Sequence, residues 1–350
     1  MDQQERMSLL PRLLLPWYHS NHRDLPWRKD RDPYHIWVSE IMLQQTRIEA
    51  ALEYYKRFTL ELPSVKELAE VDDERLMKLW QGLGYYSRAR NLKKAAIKVM
   101  EEHDGRLPDS AEALKKLPGI GDYTAGAIAS IAYHKSEPAV DGNVLRVISR
   151  IIASYDDIML PATKKSVTAL LKEVYPLGEE AALLTEGLME LGEQVCIPNG
   201  EPRCATCPIA PFCRAYAEGK TEEIPVREVK KEKRIEEKTV LLLRSSAGRY
   251  AIRKRGEKGL LANMWEFPVI EGACAEGDVE SYLAEQGIQT EAILPCGEAE
   301  HIFTHIVWKM RGFSVSVCEE ISDYLWKSRE EILADYAIPS AYRYYLKQLI

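Results

Sequence analysis

The chain has 350 residues, of which 46% are apolar and 29% charged, with a formal net charge of −7 at pH 7. That length holds two or three domains with separate cores, and the balance is that of an ordinary soluble globular protein. No apolar run approaches the ~20 residues that cross a bilayer, so no membrane partner is expected. The early leucine cluster is broken by Pro11, Arg12 and Pro16 and lacks a small-residue cleavage site. A signal peptide is therefore not expected, and the cytoplasm is the expected location. The negative charge does not exclude a nucleic-acid partner, because such binding needs a basic surface and not a basic protein. Arg88, Arg90, Lys93, Lys94, Lys115, Lys116, Lys164 and Lys165 are candidates for that surface.

Residues 1 to about 220 read as helices. Asp32-Pro33 pairs a capping acceptor with a proline at the first helical position, and the helix runs on to Leu43. Further helical patterns occupy 65–69, 73–80, 87–102, 110–116, 123–133, 143–153, 163–174 and 179–191. Residues 221–238 carry alternating charge and few apolar side chains, as a solvated connector does. Strand signals follow at 239–243, 250–253, 302–310 and 312–317, with helices at 279–285 and 329–336. This second region reads as a separate α+β domain.

Four features carry chemistry. Leu117-Pro118-Gly119-Ile120-Gly121 joins two helical patterns, and such a hairpin can offer backbone N–H groups to a phosphate. It can equally be a plain tight turn. Glu40 lies on an almost wholly apolar helix, where desolvation favours the protonated form and suits it to general acid catalysis. The structural alternative is a buried glutamate paired with Arg23 or Arg28. Asp141, followed by Gly142-Asn143, reads as a helix N-cap, a position that favours the ionised carboxylate. Two carboxyl groups with opposed pKa shifts are what cleavage of a glycosidic bond requires. Finally, Cys196, Cys204, Cys207 and Cys213 form a four-thiolate set, while Cys274, Cys296 and Cys318 are scattered. The tight group favours metal ligation over disulfides, and it suits zinc as well as an iron–sulfur cluster.

Long motifs now occur in a recognisable order. Leu43-Gln44-Gln45-Thr46, the run from Gly82 through Tyr85 to Leu92, the stretch 117–126 and the stretch 139–144 resemble the helix–hairpin–helix base-excision glycosylases. Within them the chain is most similar to the MutY adenine glycosylases, and the likeness extends to Leu260-Leu261-Ala262-Asn263-Met264-Trp265-Glu266-Phe267-Pro268. The resemblance implies a multidomain protein. An all-α bilobal catalytic region, 1–220, would consist of a six-helix hairpin lobe at about 28–135 and an iron–sulfur lobe formed by 1–27 with 136–220. A Nudix-like α+β domain would follow over 239–350.

It further implies a [4Fe–4S] cluster on the four cysteines, although the first gap is one residue longer than usual, and a cation at the hairpin carbonyls. The implied substrate is adenine mispaired with 8-oxoguanine or guanine in double-stranded DNA, flipped out of the duplex. By the same resemblance Glu40 protonates adenine N7 and Asp141 stabilises the deoxyribosyl cation. Tyr123 and Asn143 line that site, and Arg23, Leu25, Trp27, Arg28 and Glu186 shape the adenine pocket. Gln45, Thr46, Leu83 and Tyr85 wedge and contact the 8-oxoguanine strand. Leu117, Gly119, Ile120 and Gly121 hold DNA phosphate. Bifunctional relatives carry a lysine where this chain has Tyr123, and a phenol cannot form their imine, so a monofunctional enzyme is expected. The second domain lacks a metal-binding Glu-rich box, and Phe303-Thr304-His305 matches the family's element for sensing the oxidised base. Taken alone, that stretch reads as an ordinary alternating strand. A monomer in a bacterial cytoplasm, working at the nucleoid, completes the expectation.

Overall fold

The computed structural model describes residues 2–228 and 232–350. The chain forms two compact units, one of Met1–Glu70 with Arg90–Val229 and one of Val71–Ala89 with Lys230–Ile350. The division differs from the expected boundary, because a short helical stretch is counted with the C-terminal region. Twelve helices lead up to the cysteine segment. They are α1 (Gln3–Ser8), α2 (Leu10–Asn21), α3 (Pro33–Leu43), α4 (Ile48–Glu61), α5 (Val65–Glu70) and α6 (Asp73–Trp80), then α7 (Ser87–Glu102), α8 (Ala111–Leu114), α9 (Asp122–Ile131), α10 (Gly142–Ile152), α11 (Pro161–Lys172) and α12 (Glu179–Gln194). None of the described helices is long and apolar enough to cross a membrane.

In the first unit the N-terminal leucines reach far along the chain. Met7, Leu10 and Leu14 pack with Val144, Val147, Ile148 and Ile151 of α10 and with Leu184, Leu188 and Leu191 of α12. The spacing of Leu10, Leu14 and Tyr18 puts one apolar stripe on α2, and burial of that stripe outweighs the proline at position 16 inside the helix. One close approach sets the geometry of the site. A side chain at Gly126 would come within 2.6 Å of the Pro138 carbonyl, so glycine lets α9 sit against the strand-like segment leading to Asp141.

In the second unit, β1 (Arg234–Ser245), β2 (Tyr250–Lys254), β3 (Trp265–Glu266), β4 (Val269–Glu271), β5 (Thr290–Ile302), β6 (Ile306–Val317) and β7 (Leu325–Lys327) make one mixed sheet. Its main order is β3-β2-β1-β6-β5, with β1 and β6 parallel from Arg234↔Ile306 to Ser245↔Val317. Val240 and Leu242 enter one core with Trp308, Tyr342 and Tyr345, whereas Leu241 and Leu243 enter another with Val279, Leu283 and Val315. Both faces of β1 are thus covered, which explains its unbroken apolar run. The expected connector is shorter than 221–238, because β1 begins at Arg234: pairing with Ile306 onward recruits the charged end of that stretch into the sheet.

Candidate active site

The site is built around α3. Residues Tyr34, Ile36, Trp37, Val38, Ser39, Glu40, Ile41 and Met42 are all buried, so this helix carries its single carboxylate into the interior. Glu40 is 5% exposed and accepts the Tyr123 hydroxyl at 2.5 Å. The arginines that might have neutralised it are engaged elsewhere: Arg23 and Arg28 pair with Glu190 at 2.6 and 2.8 Å. Burial pushes the Glu40 carboxyl up to about 7, with Asp141 and Glu186 adding to the rise and the Tyr123 hydrogen bond and Arg28 opposing it.

Asp141 caps α10, accepting the Val144 N–H at 2.8 Å and the Asn143 side-chain amide at 3.0 Å. Here the expectation of opposed shifts is corrected. Burial also pushes Asp141 upward, against its hydrogen bonds from Val144 and Asn143 and the charge of Arg146. The helix terminus is present, yet desolvation exceeds it. The asymmetry between the two acids comes from their partners. Asp141 receives two N–H donors and faces a guanidinium, while Glu40 receives one phenol and faces two other carboxyl groups.

Asn143 is itself held. Its carbonyl accepts Arg146 Nη2 at 2.8 Å, its amide also donates to Glu193 at 3.1 Å, and Arg146 reaches the carbonyls of Gly192 and Cys196 at 2.8 and 2.7 Å. A Cβ on Gly192 would stand 2.6 Å from that of Asn143, so α12 approaches α10 here only through a glycine.

Glu40, Tyr123, Asp141 and Asn143 line one cleft of about 1110 Å³. Arg23, Leu25, Trp27, Arg28, Glu186, Gln45 and Thr46 line the same cleft. Gln45 sits at φ +60° in the turn that ends α3 and is exposed. Glu186 is 4% exposed, accepts the Tyr18 hydroxyl at 3.0 Å and lies 3.7 Å from both Arg28 and Arg31; burial raises its pKa against those two charges. Glu190, Met189 and Glu193 also line the cleft and were not anticipated. Glu190 falls one helical turn after Glu186, and that i,i+4 spacing was a usable signal.

The hairpin between α8 and α9 has Leu117 and Ile120 buried as its anchor, and Gly119 at φ +79° has no room for a Cβ against Asn91. Gly121 starts α9 without a side-chain cap, leaving the first-turn amides directed outward. The carbonyls of Lys116 and Leu117 are already taken, by Lys98 Nζ and by the Ile120 N–H. In the second unit three expectations change. Leu83 is buried and so does not project as a wedge, because the turn at Gly82 and Gly84 folds it inward; the exposed ring of that loop is Tyr85. Arg88 is 9% exposed and donates to the carbonyls of Leu83 and Gly84, so it is not part of a basic surface. Phe303, Thr304 and His305 form the turn between β5 and β6 and not a strand, and the Thr304 and Tyr85 hydroxyls are 2.5 Å apart. The two motifs assigned to the oxidised base thus meet within one unit.

The four clustered cysteines line one small pocket walled by Val147, Ile151, Val195 and Ile209. Arg150 Nη1 donates to Cys196 Sγ at 3.2 Å. None of the seven cysteines is in a disulfide.

Residues 38–177 match the HhH-GPD superfamily of base excision DNA repair proteins, and residues 239–348 match the NUDIX domain. The chain is 36% identical to the adenine DNA glycosylase of Arabidopsis thaliana, over 84% of this chain and 55% of that protein. It is 34% identical to the adenine DNA glycosylase of Mus musculus, over 87% and 70% respectively. The structure of a thermostable thymine-DNA glycosylase resembles it with a TM-score of 0.54 and 27% identity, covering 61% of this chain and 98% of that one. Fold and cleft together define a helical base-excision domain joined to a Nudix-like sheet domain. The chain belongs to the adenine DNA glycosylase family. It spans about half the length of the Arabidopsis relative.

Proposed function

We propose that this chain is a monofunctional glycosylase that excises adenine mispaired with 8-oxoguanine, or with guanine, from duplex DNA. The observation that carries the reading is a buried Glu40, its carboxyl pushed up to about 7, and a capped Asp141 lining one cleft in a chain of this family. Glu40 gives its proton to N7 of the flipped adenine, and the C1′–N9 bond breaks with its electrons leaving on the base. Asp141 stabilises the resulting oxocarbenium ion or bonds to C1′; water then attacks, giving a proton back to Glu40 and leaving an abasic sugar. Tyr123 donates to Glu40 and offers no amine, so the product is not cleaved by imine chemistry.

Base selection falls to the Arg28 and Glu186 wall, and preference for 8-oxoguanine falls to Gln45, Thr46, Tyr85 and the Phe303-Thr304-His305 turn, on a single copy of the chain in the bacterial cytoplasm. The cysteine pocket fits a [4Fe–4S] cluster held by Cys196, Cys204, Cys207 and Cys213. Four thiols line one apolar pocket, a donor set that suits such a cluster. When bound, such a cluster would tie the segment after α12 to α10 and do no chemistry on the base. A hairpin cation would be held by backbone carbonyls of the turn around residues 117–121.

The test is single-turnover reaction on A:8-oxoG, A:G and thymine-glycol duplexes, with borohydride trapping. Adenine release from the first two without a trapped adduct is expected. Release of thymine glycol with a trapped adduct would overturn the reading in favour of a pyrimidine glycosylase/lyase.

A further inference from the structure

The residue least explained by the reaction above is Glu190. Its side chain has no solvent exposure, yet five donors converge on it. Arg23 contributes its backbone N–H at 3.2 Å, Nε at 2.6 Å and Nη2 at 3.2 Å; Arg28 contributes Nη2 at 2.8 Å; Gln194 donates to the same carboxylate. A carboxylate has about four lone-pair sites. Glu190 is therefore saturated by the protein and has nothing left to offer a base.

The two arginines it holds flank Leu25 and Trp27, which are buried in the cleft wall. Arg28 is a shared cation. It lies 2.8 Å from Glu190 but 3.7 Å from Glu186, and its field also reaches Glu40. The charged or titratable groups facing Glu40 are Tyr123 from α9, Asp141 from the cap of α10, Glu186 from α12 and Arg28 from the segment after α2. Arg28 is the one cation in that set.

We propose that Glu190 is a positioning residue, which fixes Arg23 and Arg28 against α12 and directs the Arg28 charge away from Glu40. The inference rests on the adenine glycosylase reading for its consequence, since Glu40 must hold a proton to act. Without the Glu190 charge, Arg28 is left to Glu186 and Glu40, and an adjacent cation favours the ionised carboxylate. Burial alone would raise Glu190 itself, but Arg23 and Arg28 together hold it below the usual glutamate value, so its charge is present throughout the working range.

The experiment compares the full-length wild type, Glu190→Gln and the double variant Arg28→Gln/Glu190→Gln. The Glu40 carboxyl is followed by isotope-edited infrared titration, and single-turnover excision on A:8-oxoG duplex is measured from pH 5.5 to 9. In Glu190→Gln the Glu40 midpoint should fall by about one pH unit. The excision rate should then be about tenfold lower at pH 8 but only about twofold lower at pH 6. The double variant, with neither charge, should return the midpoint towards that of the wild type, which a merely structural role does not predict. A parallel loss of rate at every pH with an unmoved Glu40 midpoint would overturn the proposal, as would a double variant whose midpoint stays down. If Glu190→Gln does not fold, Arg28→Gln serves in its place: its Glu40 midpoint should stay near that of the wild type, and a rise of about one unit would show that Glu190 does not keep the Arg28 charge from Glu40 and would overturn the proposal. Absence of excision by the wild type would refute the glycosylase reading, while the infrared midpoints would still decide the role of Glu190.

Discussion

Each unit buries a glutamate, and the contrast between them separates chemistry from architecture. In the sheet unit, Glu266 is 2% exposed and is met by Arg253 at 3.0 Å, by Arg255 and by the Tyr342 hydroxyl at 2.7 Å. Both oxygens are engaged by two guanidinium groups and a phenol, the arrangement of a fully partnered structural side chain. In the helical unit Glu40 is as deeply buried but has one phenol and no cation bonded to it. Burial, with no bonded cation to offset it, pushes its carboxyl up to about 7. The lesson is that burial marks neither acid as functional; the missing guanidinium does.

The largest effect should come from Asp141→Asn, which keeps the N-cap shape and removes the charge. Excision should fall by at least about a thousandfold while lesion duplex is still bound. Turnover at the wild-type rate would mean that the cation is stabilised elsewhere. Glu40→Gln should lower the rate by about a hundredfold or more and flatten its pH dependence.

The same variant sharpens the contrast through stability. A carboxyl raised in the folded state supports folding fully below its unfolded value near 4.5, and that support is lost as pH rises through about 7. Glu40→Gln should therefore gain on the wild type as pH increases, by up to on the order of 3 kcal/mol at pH 8. Urea melts at pH 5 and pH 8 would show it, and an equal offset at both values would remove the claim of a raised acid.

Glu266→Gln should do the reverse: lower stability by about 3 kcal/mol, by leaving two partly exposed guanidinium groups without their shared partner, with single-turnover excision within about twofold. A loss of chemistry without a loss of stability would erase the distinction between the two glutamates. The smallest effect is expected at Gly192→Ala, where the new methyl must displace Asn143; the rate should drop about tenfold with binding intact.

Much of this was legible in the sequence, for reasons that can be named. The apolar surroundings of Glu40, the capping position of Asp141 and the cysteine spacing are local signals, and all three survive folding. What escaped depended on distant partners. The N-terminal helix α2 was not singled out within the helical region, although its leucine stripe docks on α10 and α12. Strand β5 was missed because Pro295 and Gly297 interrupt it; both lie at a register shift, and the strand sits at the edge of the sheet, where a missing N–H is tolerated. Helix α4 went unread although Ala51, Tyr55 and Phe58 mark its buried face. The inward turn of Leu83 and the upward shift of Asp141 are likewise products of packing, which composition does not encode.

One measurement reaches furthest: the single-turnover rate of adenine release from an A:8-oxoG duplex as a function of pH. With Glu40 as the proton donor the rate should be level at low pH and fall about tenfold per unit above a midpoint near 7. A rate that rises through neutrality, or one unaffected by replacing Glu40, would show that the buried glutamate is not the acid.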